Sequence, residues 1–261
     1  MSRIVVISGG GTGIGLAVAE AFVRDGDRVV LVGRRKDVLD GAVARLGSGS
    51  ALAVPADLTD EAETAGVREL VAERFGRVDV LVNNAGGNVA LGGGEPSPTE
   101  LWTGNFRSNV LTAVLLTEAL RDLPADGGRV LLLSSIAAVR GGGSGSYGAA
   151  KAALHPYAYD LAADLGGRGI TVNVIAPGFI DDTEFFGGRM TRERRAFLVG
   201  QTLTGRVGVP GDVASLAHWL ASPGAAHITA QIHQVNGGAE RGRQGRWGPP
   251  RVSGARAADA W

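Results

Sequence analysis

Apolar and polar positions fall into alternating blocks along this chain. Short runs rich in β-branched residues recur at 4–8, 28–32, 51–55, 78–82, 129–133, 171–175 and 232–235. Between them, over 14–25, 36–46, 60–75, 99–121, 146–166 and 211–221, apolar residues return every three or four positions, as in a helix with one buried face. Strands that are apolar throughout, each followed by a helix, predict a parallel sheet covered on both sides. With right-handed crossovers the expected fold class is α/β, a doubly wound Rossmann-type sheet of about seven strands with helices on both faces. Two stretches break the alternation: a Gly/Pro/Ser loop over 87–98, and a segment over 179–204 rich in Phe, Arg and Thr. Ligands of such sheets sit outside the carboxyl ends of the strands. These two stretches are therefore the expected walls of a substrate pocket, with 179–204 as its lid.

At 261 residues and 44% hydrophobic content the chain suits one substantial core and is short for two domains. Residues 1–243 read as a single catalytic domain. The Arg/Gly/Pro-rich stretch over 244–261 has no periodicity and is expected to be a flexible C-terminal extension. A formal net charge of zero provides no global field to recruit nucleic acid or an anionic membrane, and neither is expected as a partner. Cysteine is absent, which excludes disulfides, thiol catalysis and thiolate metal sites, and no metal centre is expected. The apolar run at 4–7 is too short for a signal peptide, and no stretch of about 18 apolar residues follows. A cytoplasmic protein is the expectation.

The first strand runs into Ser8-Gly9-Gly10-Gly11-Thr12-Gly13-Ile14-Gly15, which opens a helix. Glycines allow close backbone approach, and the helix N-terminus offers free N–H groups to a phosphate. As a strand-to-helix turn in the first βα unit, it predicts a dinucleotide cradle. The second strand ends Gly33-Arg34-Arg35, with no carboxylate before Asp37 to hold a ribose 2′-hydroxyl. A guanidinium fork at Arg34 or Arg35 suits a 2′-phosphate, so NADP(H) is favoured over NAD(H). The other reading is that both arginines belong to a solvated helix start. Asp57-Leu58, after the third strand, is placed to touch the adenine, and Asp57 could instead N-cap the next helix.

Tyr147 and Lys151 are four residues apart and share one helix face, so an ammonium can sit near the phenol and favour its ionised form. A phenol ordinarily titrates near ~10, too high for efficient proton exchange at neutral pH. Ser134-Ser135 lies about a dozen residues earlier and can hydrogen-bond an oxygen that gains charge. Lysine otherwise occurs only at position 36, which makes Lys151 conspicuous in a chain that uses arginine elsewhere.

The ordered set Ser8–Gly15, Asn83-Asn84-Ala85-Gly86, Asn109, Ser134-Ser135, Tyr147 to Lys151, Asn173-Val174-Ile175-Ala176-Pro177-Gly178, Gly205-Arg206-Val207-Gly208 and Val235-Asn236-Gly237-Gly238 resembles the short-chain dehydrogenase/reductase family. The resemblance extends from residue 3 to about 243 and is nearest to the 3-oxoacyl-acyl-carrier-protein reductase branch. It implies that Tyr147 is the acid/base, that Lys151 lowers its pKa and binds the nicotinamide ribose, and that Asn109 supports a water relay behind Lys151. Ser135 would hold the substrate oxygen, with Ser134 as the alternative. It further implies cofactor contacts from Ser8, Gly9, Gly11, Thr12, Gly13, Ile14 and Gly15, from Asn84, Ala85 and Gly86, and from Pro177, Gly178, Ile180 and Thr183. The expected activity is NADPH-dependent reduction of a ketone. An NAD-dependent alcohol dehydrogenase, a tailoring redox enzyme of secondary metabolism and a nucleotide-sensing regulator are the alternatives. The expected partners are a small carbonyl or alcohol substrate and further copies of the chain, as a homotetramer or homodimer. The turn at 123–128 has an acid and no lysine, unlike carrier-protein-dependent members, so an acyl carrier protein is an open partner.

Overall fold

The computed structural model describes residues 2–91, 95–141, 145–186 and 189–241, and the expected extension over 244–261 lies outside them. Seven strands, β1 (Ile4–Ser8), β2 (Arg28–Gly33), β3 (Ala51–Pro55), β4 (Val78–Asn83), β5 (Pro124–Leu133), β6 (Thr171–Pro177) and β7 (Gln231–Val235), form one sheet in the order β3-β2-β1-β4-β5-β6-β7. All pairings are parallel. The direction of strand progression reverses beside β1, which opens a crevice at the carboxyl ends of β1 and β4.

The apolar runs form the strands because both faces of the sheet are covered. Val6, Val30, Leu81, Leu132 and Val174 pack with Leu116, Leu154 and Leu161 on one side. Val5, Ile7, Leu31, Leu131 and Ile175 pack with Val18, Phe22, Val213 and Leu220 on the other. The α-helices among the described residues are α1 (Gly13–Arg24), α2 (Lys36–Leu46), α3 (Glu61–Phe75), α4 (Pro98–Phe106), α5 (Thr112–Ala119), α6 (Ala137–Arg140), α7 (Gly145–Leu165), α8 (Arg192–Gly200) and α9 (Pro210–Leu220).

Three elements differ from the sequence expectation. β5 begins at Pro124 rather than at 129, because Pro124 already pairs with Val78; the register then slips, and Gly127 turns through φ +76° before regular pairing resumes at Arg129. The long helix expected over 99–121 is α4 and α5 joined by a wider turn, Arg107–Leu111, in which the Thr112 amide bonds back to Arg107 O, five residues earlier. Side chains compete for the acceptors here: the Thr112 hydroxyl donates to Ser108 O at 3.0 Å and Asn109 Nδ2 to Asn105 O at 2.8 Å, in each case the acceptor that the residue's own backbone N–H would use in an α-helix. The lid segment contains α8, started by Thr191, whose hydroxyl accepts the Arg194 N–H. No residue of α8 is buried, so it lacks the apolar periodicity that reveals a helix in sequence.

Candidate active site

Glycine packing builds the first wall. Gly9 adopts φ +63°, and a Cβ on Gly15 would lie 2.2 Å from Gly9 O, so no larger residue fits this turn. The N-terminus of α1 is thereby brought to the sheet edge with Thr12 as its cap residue, whose side chain makes no capping bond to the helix. The Ser8 hydroxyl accepts the N–H groups of Asn84 and Ala85, each at 2.9 Å, and Asn84 Nδ2 donates to Ser8 O and Gly9 O at 3.1 Å. Ser8 and Asn84 thus spend these groups bracing the turns after β1 and β4 against each other. Gly11 lies against Val38 of α2, and Ile14 packs on the core. Free helix N–H groups beside a glycine turn fit the pyrophosphate of a dinucleotide.

Arg34 and Arg35, interchangeable in sequence, have different neighbours. The Arg34 charge acts on Asp57, helping to hold that carboxyl below its ordinary range, although the larger cause is the hydrogen bond from the Thr59 N–H. Arg35 donates instead to Glu184 of the lid, with Nη2 2.6 Å from Oε2. The same carboxylate accepts the Thr12 hydroxyl at 3.3 Å. The N-cap of α3 is Asp60, not Asp57, since its side chain takes the N–H groups of Ala62 and Glu63. The side chain of Leu58 lies in one core layer and that of Ile180 in the other. Both are large apolar side chains that gain from this burial.

β6 ends between its neighbours: Pro177 O accepts the Ile136 N–H at 2.8 Å, and the Gly178 N–H donates to Val235 O at 2.9 Å. The chain then returns over the glycine turn, where a Cβ on Gly13 would meet Thr183 Cγ2 at 3.3 Å. Phe185 packs on Tyr147 with ring centroids 5.5 Å apart, and Phe186 links Phe185 to Phe179. The lid therefore carries an aromatic wall up to the tyrosine.

Tyr147 is half-buried and its hydroxyl is hydrogen-bonded to Ser135. Ser135 also accepts the Ala137 N–H at 3.1 Å. Ser134 is buried and differently engaged: its hydroxyl donates to Lys151 O at 2.9 Å and lies 2.9 Å from His155 Nε2. Of the two serines, Ser135 is the one that faces the tyrosine. The expected coupling of Tyr147 to a neighbouring ammonium is not what the structure displays. Burial pushes the phenol up to about 12, opposed by the Ser135 hydrogen bond. Lys151 is buried, donates to Leu133 O at 2.8 Å and is pushed down to about 8 by loss of solvent. Asn109 closes the inner wall, accepting the Gly87 N–H at 3.1 Å and donating to Gly87 O at 2.7 Å. Gly86 lies between Asn109 and Lys151: an added Cβ would fall 2.5 Å from Asn109 Oδ1 and 2.9 Å from Lys151 Nζ.

Three residues at this site carried no assignment from sequence: Glu184, His155 and Asn105. A buried asparagine one helical turn before Asn109 is a readable signal for the last, whereas nothing local marks Glu184 as the partner of Arg35.

Fold and site together define the class of protein as an oxidoreductase. The chain belongs to the short-chain dehydrogenase/reductase family, enzymes that act on CH–OH and C=O groups, and residues 9–240 match the family model described as enoyl-(acyl carrier protein) reductase. It is 33% identical over 247 residues to the 3-oxoacyl-[acyl-carrier-protein] reductase FabG of Escherichia coli, covering 90% of this chain and 96% of that one. It is 35% identical over 238 residues to galactitol 2-dehydrogenase (L-tagatose-forming) of Cereibacter sphaeroides, covering 89% and 92%. The Pseudomonas aeruginosa RhlG/NADP active-site complex superimposes with a TM-score of 0.83 at 30% identity, covering 91% of this chain and 96% of that one.

Proposed function

We propose that the protein is an NADPH-dependent reductase of a small, largely apolar ketone. The observation that carries this reading is the Ser135–Tyr147 hydroxyl pair beside the glycine cradle and under the Phe185 ring. Gly9, Gly13 and the N-terminus of α1 would hold the pyrophosphate, Arg34 the 2′-phosphate, and Lys151 the nicotinamide ribose. When bound, NADPH supplies the hydride that reaches the carbonyl carbon. Tyr147 donates the proton to the carbonyl oxygen, and Ser135 hydrogen-bonds that oxygen as it gains charge. Phe179, Phe185 and Phe186 exclude water from the reacting carbon and favour an apolar substituent.

A free ketone is favoured over a carrier-bound one because Arg168 donates to Asp126 at 2.9 Å, which neutralises a cation that could meet an acidic carrier. The active form is a homotetramer or homodimer, supported by Trp102 and Phe106, one turn apart on α4, and by Tyr159 on α7, all large and exposed. The reading is tested by following NADPH and NADH oxidation with cyclic ketones, quinones and β-ketoacyl thioesters, using Tyr147→Phe as control. Turnover with NADPH and a free ketone that disappears in Tyr147→Phe supports it. Turnover confined to NADH, or undiminished in the variant, overturns it.

A further inference from the structure

Asn105, at the last turn of α4, is completely buried. A buried amide is costly unless its groups are paired, and this one is paired on two sides. Its Oδ1 accepts the Val89 N–H at 3.0 Å, from the loop after β4. Its Nδ2 donates to Ser146 Oγ at 2.9 Å, at the start of α7. The amide orientation is fixed, because a backbone N–H can only donate. A third link runs through the backbone: Asn105 O accepts from Asn109 Nδ2. The loop packs tightly here, since a Cβ on the neighbouring Gly104 would fall 3.0 Å from Val89 Cγ2.

These contacts bear directly on the reacting groups. Ser146 immediately precedes Tyr147, Val89 lies two residues after Gly87, which Asn109 holds through two hydrogen bonds, and Asn109 packs with Lys151 around Gly86. α4 thus meets the helix that carries Tyr147 through a hydrogen-bonded crossbar whose two ends are the 87–91 loop and the residue before Tyr147. An apolar residue of equal size would fill the space and leave Val89 N–H without its acceptor, so the loop and the helix could drift independently. A misplacement of about 1 Å at a reacting group costs on the order of a hundredfold in rate.

We propose that Asn105 is a positioning residue for proton transfer, holding the start of α7 and the 87–91 loop in register so that Tyr147 meets the substrate oxygen. This rests on the ketone-reductase reading for its kinetic consequence, but not for its geometry. Asn105→Leu, matched in branching, should lower kcat about tenfold or more, leave the NADPH dissociation constant within about twofold and alter the pH profile of kcat. Ser146→Ala cuts the same link without touching the core of α4, and serves if Asn105→Leu does not fold. The effects of the two substitutions on kcat should be strongly non-additive, as expected for partners in one bond. A kcat within about twofold of the unchanged protein in both variants overturns the proposal. So does a kcat loss in Asn105→Leu accompanied by an equal loss of NADPH binding, which would reflect general collapse of the site. If the unchanged protein turns over neither ketones nor alcohols, the ketone-reductase reading fails by itself. The positioning claim is then decided by backbone amide exchange over residues 145–151. Asn105→Leu should accelerate exchange there about tenfold with the sheet amides unchanged, and unaltered exchange overturns it.

Discussion

The hydroxyl of Ser134 lies 2.9 Å from Nε2 of His155, one turn beyond Lys151 on the same helix. Its second contact is Lys151 O, also at 2.9 Å, so this serine ties the carboxyl end of β5 to α7. Ser135 instead bonds the Tyr147 hydroxyl. Adjacent residues on a strand end point to opposite sides, which gives one serine to the scaffold and the other to the pocket. Ser135→Ala should lower kcat by about 10²-fold, the usual cost of removing a donor to a developing oxyanion. Ser134→Ala should keep kcat within about threefold. It should cost about 1–3 kcal/mol of stability by removing a buried hydroxyl from two partners. Steady-state kinetics and thermal unfolding of both variants decide the assignment, and the reverse pattern would transfer the role to Ser134.

Arg35 and Glu184 form an exposed ion pair across the mouth of the cofactor cleft. The hydrogen bond and charge of Arg35 hold the Glu184 carboxyl below its ordinary range, so the pair persists into mildly acidic solution. Arg35 is therefore already engaged with Glu184, whereas the Arg34 charge acts on Asp57. A charge-assisted bond to phosphate is worth about 1.5–3 kcal/mol. Arg34→Ala should accordingly raise the NADPH dissociation constant more than about tenfold and change that for NADH little. Arg35→Ala should have a clearly smaller effect on NADPH. Fluorescence titration with both cofactors checks this, and equal losses from the two substitutions would show that Glu184 does not withhold Arg35 from the phosphate.

The strand runs, the glycine turn and the four-residue spacing of Tyr147 and Lys151 are legible in sequence because each depends on neighbours a few positions away. What was not legible depends on distant partners. Arg34 and Arg35 look equivalent until Glu184, 149 residues from Arg35, engages one of them. In the wider turn over Arg107–Leu111 side chains occupy backbone acceptors, and no hydrophobic period encodes such an exchange. The four-residue spacing pairs Lys151 with the phenol, whereas its bond to Leu133 O follows from the approach of β5 to α7.

Trp102 and Phe106 on α4 and Tyr159 on α7 expose large aromatic surface, and Leu111, Val114, Leu115 and Tyr157 beside them are only partly covered. Leu154 and Leu161 of α7 belong to the core under the sheet. The uncovered remainder suits a self-complementary two-fold contact. Sedimentation at micromolar concentration should give a species near two or four times 26.7 kDa. Trp102→Glu together with Phe106→Glu should shift it toward the single-chain mass, because like charges would then meet across the axis. A single species near 26.7 kDa for the unchanged protein would refute the assembly.

Lys151 gives a prediction in which stability and activity move in opposite directions. Burial holds the folded-state ammonium near 8 against an ordinary 10.5. Below pH 8 both the folded and unfolded chains carry the proton, and the folded chain bears the full penalty of a buried charge. Between 8 and 10.5 only the unfolded chain is charged, so stability rises with pH across that window; above it the penalty is gone. The displacement corresponds to on the order of 3 kcal/mol at neutral pH, offset by about 1 kcal/mol for the hydrogen bond to Leu133 O. The cofactor-free Lys151→Met variant should therefore be about 2 kcal/mol more stable than the unchanged protein at pH 7. That advantage should vanish toward pH 10.5, while turnover is lost at every pH. Tyr147, pushed up to about 12, acts the other way at still higher pH, where the unfolded phenol ionises first and stability falls. Urea unfolding of the two proteins at pH 7 and near pH 10 measures the effect. A constant difference between them would mean that Lys151 titrates in the folded chain as it does in the unfolded one.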